Sequence, residues 1–311
     1  MEVHIGKMIL YGILSAVFYI VVPLVLFEIL QAYNIMTFSS AFKTAIIIFG
    51  IIGVVISMAR HLFPKDTPAN RLVAFGAVVY SGIYLFYMFG GFTPGVALGT
   101  YRIDLPMIQV LLGLQLIAWL LLAASGIRAL QYLVEALELR EHKEYTVNMR
   151  KKFKLSMIFK VLGILMSLGI AGYFGSLVYS GMNLGFDVHD TFSTDYDYNG
   201  TLLDPTDDVL NITMSFDIDN QGIYAIYGLT IDFYIYNSSP TLIGKSLNNK
   251  YGTIHSFSSK LNNDITVSIF WPHIAALNAS ATTLDFIISF STQYAGIFID
   301  LNISFEVPWT P

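Results

Sequence analysis

Two hydrophobic periods divide this chain. Up to residue 182 the apolar positions come in long, nearly unbroken runs: Met8–Tyr33, Thr44–Ala59, Leu72–Gly90, Leu105–Ile127 and Met157–Met182. A bilayer core takes about 20 apolar residues in a helix, so the pattern predicts five membrane-crossing helices. The second run is the shortest, and Phe42 and Ala45 extend its apolar face. The first is too long for the apolar core of a signal peptide, and no small-residue cleavage site follows it, so a retained helix is expected.

From Leu210 the period falls to two. Leu210, Ile212, Met214, Phe216 and Ile218 alternate with polar residues, as a half-buried strand requires. The same alternation runs through Leu229–Ile235, Ile265–Trp271, Leu284–Phe290 and Ile299–Val307, with shorter candidates at Phe186–Tyr198 and Thr253–Phe257. Seven or so strands in the last 129 residues predict a β-sandwich of immunoglobulin or fibronectin size. The expected fold is a membrane α-helical bundle of five spans over 1–182, followed by an all-β sandwich domain over 183–311.

Charge divides at the same place and gives the arrangement a direction. Residues 1–182 hold 14 Lys and Arg against 8 Asp and Glu; residues 183–311 hold 3 Lys, no Arg and 14 acids. With the N-terminus inside, segments 1–7, 60–71 and 128–160 carry 12 Lys and Arg. The outer loops 34–43 and 92–104 then carry only Lys43 and Arg102. Positive residues stay inside, so the expected chain is a multi-pass cell-membrane protein with a cytoplasmic N-terminus and an extracytoplasmic C-terminal domain.

Composition narrows the chemistry. Hydrophobic residues make up 55% of the chain and mean hydropathy is +0.61. There is no Cys, which excludes disulfides, thiolate metal sites and cysteine nucleophiles. The basic residues flank apolar runs and form no separate basic domain, so nucleic acid is not an expected partner. No Gly-x-Ser-x-Gly, P-loop or His-Glu-x-x-His is present. The expectation is a non-catalytic protein without a cofactor. Its expected partners are the lipid bilayer and either a protein partner or an oligomer.

Within the apolar runs Glu28 stands out, because an ionisable group at membrane depth is a functional candidate. It follows the kink-prone Pro23 and reads first as a carboxylate snorkelling to the outer interface or structurally hydrogen-bonded, with pairing to Arg102 or Gln109 at similar depth as the alternative. In the last run Ser167, Ala171 and Gly175 form a small-xxx-small stripe, suited to packing inside the bundle or against another subunit. Past Arg128 the fourth run continues as an amphipathic helix, with Leu130, Leu133, Val134 and Leu137 opposite Glu135, Glu138, Arg140 and Glu141. It reads as a solvated extension packing on the inner loop, or as a docking surface. Arg150, Lys151, Lys152, Lys154 and Lys160 set topology, with anionic lipid as the alternative.

The stretch Asn211–Asn220, followed by Gly222–Ile226 and Leu229–Tyr236, resembles the LEA14-like (LEA-2/WHy) domain. There a strand ends in an Asn-centred turn and the chain returns through an aromatic-rich strand, with a Gly next, here Gly244. Asn263–Val267 resembles that family's later polar turn and strand. The resemblance covers about 209–307, and its Asn-Pro-Asn form is replaced by Asp219-Asn220-Gln221. It implies an Ig-like sandwich without catalytic residues. Joined to a multi-span anchor, it resembles an archaeal surface protein. Five Asn-x-Ser/Thr sequons, at Asn199, Asn211, Asn237, Asn278 and Asn302, lie on polar strand positions or in turns and predict a glycoprotein. Asp195, Asp197 and Asp207 have some of the spacing of a calcium loop, but Thr206 holds the twelfth position where Glu belongs. A hairpin turn accounts for the segment equally well.

Overall fold

The computed structural model describes residues 5–33, 36–64, 67–92, 97–141, 155–197, 206, 208–237, 241–271, 273–279 and 281–310. The chain forms two compact units. One comprises Met1–Thr100 with Leu114–Tyr173, the other Tyr101–Gly113 with Phe174–Pro311.

In the first unit α1 (Ile5–Ala16) passes through one π-helical turn, Val17–Val21, into α2 (Val22–Ala32). Then follow α3 (Ser40–Arg60), α4 (Pro68–Met88), α5 (Gln115–Glu141) and α6 (Leu155–Met182), whose last turns, from Phe174, belong to the second unit. Counting α1 and α2 as one, five helices among the described residues are long and apolar enough to cross a membrane. Ser39 and Thr67 cap α3 and α4 by accepting the N–H groups of Phe42 and Asn70. The fourth apolar run does not begin its helix at Leu105. Residues 108–113 form a strand, and the helix starts at Gln115.

The π turn follows from one residue. Pro23 has no N–H to donate to the carbonyl of Tyr19, four residues back, and its ring crowds that carbonyl. The chain widens, Val22 N–H bonds to the Val17 carbonyl, and the Tyr19 carbonyl lacks the donor that residue 23 would supply in a regular helix. The buried Tyr84 hydroxyl of α4 donates to it at 2.7 Å. Gly50 and Gly53 of α3 let the helices close here, since a Cβ at Gly50 would strike Ile20 and lie 3.0 Å from the Tyr19 carbonyl. Tyr84→Phe should therefore cost about 1–2 kcal/mol in a detergent unfolding titration. In a Pro23→Ala background the N–H returns, and the same change should cost almost nothing. A double-mutant cycle without coupling would contradict the assignment.

Among the described residues the second unit forms a nine-stranded antiparallel sheet. Its strands are β1 (Thr100–Leu105), β2 (Ile108–Gly113), β3 (Leu184–Asp197), β4 (Val209–Asn220), β5 (Ile226–Asn237), β6 (Leu242–Ile254), β7 (Ser258–Phe270), β8 (Thr282–Tyr294) and β9 (Ile297–Trp309). A short helix, α7 (His273–Ala279), precedes β8. Strand order is β1-β2-β9-β8-β5-β6-β7-β4-β3. The alternating residues of β4, β5, β7 and β8 form one buried core; Phe216, Phe233, Val267 and Ile269 are fully enclosed.

The sheet is bent back on itself. β3 and β8 are five places apart in strand order, about 24 Å on a flat sheet. Yet Phe186 of β3 meets Phe290 of β8 at 4.8 Å between ring centroids, and Phe192 meets Phe286 at 5.6 Å. The bend lies between β6 and β7, which share only the pairs Gly244–Ile269 and Lys245–Ser268. A Cβ at Gly244 would come 2.7 Å from Val267 Cγ1, so glycine admits the close corner.

The first two strands come from the segment between α4 and α5. Pro106 and Met107 turn the chain, and Ile108, Val110 and Leu112 alternate with period two. β2 pairs with β9 over six positions, from Ile108–Ile303 to Gly113–Phe298. The apolar residues after Leu105 thus extend a sheet and do not begin a span.

Candidate functional site at the base of the sheet

One end of the sheet is tied to the last turns of α6, and polar side chains make the tie. Ser180 is fully buried. Its hydroxyl accepts the N–H groups of Ile223 at 2.8 Å and Tyr224 at 3.2 Å, which leaves its own proton for Tyr294 Oη. One turn earlier, Ser176 Oγ meets Tyr224 Oη at 2.6 Å. Gln221 N–H bonds to the Asn183 carbonyl at 3.0 Å. Gly222 is required in this turn, because a Cβ would strike Ser180 Oγ and Tyr294 Oη and lie 2.8 Å from the Ser180 carbonyl.

Asn220 organises the turn from inside. It has no exposed surface. Its Nδ2 lies 2.9 Å from the Tyr224 carbonyl, 3.0 Å from that of His255 and 3.2 Å from that of Ile254. Its Oδ1 accepts Gly222 N–H at 3.3 Å. One amide therefore joins the β4–β5 turn to the β6–β7 turn. The sequence marks Asn220 as the centre of a turn; its burial and its reach to β6 are set by the tertiary structure.

Two matching bulges lie on the strands above. In β7, Asn262 takes a left-handed backbone (φ +53°) and its N–H bonds to Asp217 Oδ1 at 2.7 Å, while Asn263 Nδ2 reaches the Phe216 carbonyl. In β6, Asn248 (φ +56°) bonds to Asp232 Oδ1 at 2.6 Å, and Asn249 Nδ2 reaches the Ile231 carbonyl. The repeated Leu-Asn-Asn at 247–249 and 261–263 is the sequence signal for both. In each, one strand inserts an extra residue and an Asp opposite binds the exposed N–H.

Asp217 is held below the usual carboxylate range by the Asn262 N–H, against the opposing effect of burial and with smaller help from His189. Asp219 is lowered by Ser259 and then Gln221. A lowered carboxylate stabilises the fold above its unfolded pKa of about 3.9, and that stability is lost as pH falls through the folded value. The melting temperature should therefore be insensitive to these groups between pH 7 and 5 and should drop below pH 4. Asp217→Asn should flatten that acid limb; an unchanged limb in a thermal melt series would remove Asp217 from the account.

The other candidate residues lie elsewhere. Glu28 is well exposed on α2 and pairs with Lys43 of α3 at 2.6 Å. The short connection between α2 and α3 brings Lys43 alongside, and Lys43 also bonds to Gln31 Oε1 at 2.8 Å. Arg102 is on β1, where it pairs with Asp104 at 2.8 Å and reaches Gln109 of β2 at 3.4 Å. Neither Arg102 nor Gln109 stands on a membrane-length helix. Ser167, Ala171 and Gly175 are exposed on α6, and a Cβ at Gly169, Gly172 or Gly175 would meet nothing within 4 Å. The buried face of the α5 extension is Ala129 and Ala136, whereas Leu130 and Leu137 are exposed. Glu135 pairs with Arg71 at 3.1 Å as an ion pair without hydrogen-bond alignment. Glu138 accepts the N–H and hydroxyl of Ser156 at the start of α6. Of the basic cluster, Arg150, Lys151, Lys152 and Lys154 lie outside the described residues.

Among the sequons, Asn302 is exposed on β9, and Asn211 is half-buried on β4 with its Oδ1 accepting Ser268 Oγ at 2.7 Å. Asn237 Oδ1 accepts Thr241 N–H at 3.0 Å. Such bonds use the oxygen, whereas a glycan attaches to Nδ2. Asn278 belongs to α7 and not to a loop. Asn199 and Asp207 lie outside the described residues. Asp195 and Asp197 stand on β3 opposite Asn211 and Val209. Among the described residues no three metal-ligating side chains gather.

No family model matches the chain, and no curated protein matches it. Among solved structures, a protein from Archaeoglobus fulgidus aligns at 12% identity and a TM-score of 0.29, over 39% of this chain and 96% of its own. A β-glucuronidase of glycoside hydrolase family 2 aligns at 13% and 0.24, over 38% of this chain and 11% of its own. β-Glucosidase 3B from Thermotoga neapolitana, in complex with glucose, aligns at 14% and 0.18, over 41% and 17%. Likenesses at this level carry no argument about chemistry.

Proposed function

We propose that this is a non-catalytic multi-pass membrane protein that holds a glycosylated, Ig-like β-sandwich outside the cell for partner binding or envelope assembly. The observation that carries the reading is the pairing of β2 with β9. Two membrane-length helices, α5 and α6, separate residue 113 from residue 184. If both cross, the β1–β2 hairpin and the C-terminal strands lie on one side, as their shared sheet demands. The excess of Lys and Arg in the segments assigned to the interior makes that side the outer one. The sharp bend at Gly244 supports a two-layered sandwich, consistent with the LEA14-like resemblance.

The absence of Cys makes the test clean. Phe270→Cys should react with a membrane-impermeant maleimide on intact cells, and Arg140→Cys only after permeabilisation. The reverse pattern would overturn the topology. Crosslinking on intact cells should yield a species heavier than the monomer; monomer alone would overturn partner binding. A second reading, an accessory subunit of a transporter, channel or sensor complex, draws on the Ser180 contacts, which join the last turn of α6 to the turns of the sheet.

A further inference from the structure

We infer that the base of the sheet is itself a lipid-binding surface, with Phe257, Tyr227 and Ile223 seated in the interfacial layer of the outer leaflet. The inference rests on the membrane-anchored reading above and adds a contact to it.

Strand register defines the base. Gly113 pairs with Phe298, Tyr294 with Ile297 and with Ile226, Ile226 with Ile254, Asn220 with Ser258, and Leu184 with Asn220. That row runs across the bent sheet from the residue where β2 hands over to α5 to the residue where α6 becomes β3. Both apolar helices therefore join the sheet at this one edge. The turns of the row also descend beside α6, because Tyr224 reaches Ser176, six residues before the helix ends at Met182. Six helical residues span about 9 Å. If α6 crosses the bilayer, the base lies at the depth of lipid headgroups and upper acyl chains.

Its composition suits that depth. Segments 180–186, 221–227, 255–258 and 294–298 contain no Asp, Glu, Lys or Arg, although residues 183–311 hold 17 such residues. Immersing a charge at this level is costly, and aromatic residues favour it. Phe257 at the tip of the β6–β7 turn is 63% exposed, Tyr227 55% and Ile223 44%. Phe257 has a left-handed backbone (φ +55°). At a bilayer surface these side chains stabilise attachment, and the Ser180 contacts set their height against the end of α6.

The test uses single cysteines carrying an environment-sensitive fluorophore, in the full chain reconstituted in nanodiscs with shallow spin-labelled lipid. Phe257→Cys is compared with Phe270→Cys, which is 60% exposed on the same β7 sequence stretch but roughly 40 Å along it. Leu168→Cys, in the middle of α6, reports on the anchor. The expected result is strong lipid quenching at 168, several-fold stronger quenching at 257 than at 270, and quenching of 270 by aqueous iodide only. Lipid quenching at 168 with 257 matching 270 would overturn the inference and leave the anchor standing. No lipid quenching at 168 would overturn the membrane reading on which it rests.

Discussion

Asn220→Asp, a change of one nitrogen to oxygen, should cost the sheet unit about 3–5 kcal/mol at neutral pH, roughly 10–15 °C in Tm. The side chain is fully buried and donates toward three carbonyl oxygens, of Tyr224, Ile254 and His255. A carboxylate there has no proton to donate. It leaves the carbonyls unpaired and places a negative charge against them in a site without solvent. Burial raises the pKa of a carboxyl group, so the introduced acid is strained chiefly when ionised. The penalty relative to wild type should be largest at pH 7 and shrink as pH falls toward 4, when the neutral acid regains one donor. Thermal melts of the full chain across pH, followed by near-ultraviolet circular dichroism, provide the check. A pH-independent deficit would mean that shape alone, and not the donor pattern, holds the turn.

The same residue shows how far this fold can be read from its sequence. Strands β4, β5, β7 and β8 were legible because each buries one face, so period two survives in Leu210–Ile218, Leu229–Ile235, Ile265–Ile269 and Leu284–Phe290. β6 was not legible. Its Asn248 and Gly252 adopt positive φ, and its pairing with β5 shifts register repeatedly, which destroys the alternation. The β1–β2 hairpin was hidden for a different reason. Leu105–Leu114 is apolar enough to join the following helix, and hydropathy cannot separate a strand that adds to a sheet edge from the start of a span. What decides it is β9, almost two hundred residues later in the chain.

The candidate site divides along the same line. Asn220 and Gly222 stood out as turn residues. Ser180 carried no signal, since a serine near the end of an apolar helix has many uses. Glu28 was conspicuous for its charge, yet its partner Lys43 belongs to the next helix and both sit near the helix ends. An exposed pair of that kind is worth little.

Gly99→Ala should be the most damaging substitution in the helical unit, at about 3 kcal/mol or more. Gly99 receives both ends of the hairpin segment: its N–H bonds to the Phe89 carbonyl at 2.6 Å and its carbonyl accepts Leu114 N–H at 2.7 Å. The backbone is left-handed (φ +67°), a conformation that costs a side chain about 1–2 kcal/mol. A Cβ would also lie 2.7 Å from the Gln115 nitrogen and the Leu114 carbonyl carbon. Those are backbone atoms at the first turn of α5 and cannot rotate aside. Relief requires the turn at Gly99 to move away from the start of α5. Gly228 supplies the control, because it shares a positive φ (+61°) but has open space around the missing Cβ. Gly228→Ala should cost only the conformational share, about 1 kcal/mol. Hydrogen exchange should show faster amide exchange along Ile108–Gly113 in Gly99→Ala and wild-type protection there in Gly228→Ala. Equal effects of the two substitutions would mean that the junction yields, and that the contact between Gly99 and the start of α5 does not hold the hairpin in the sheet.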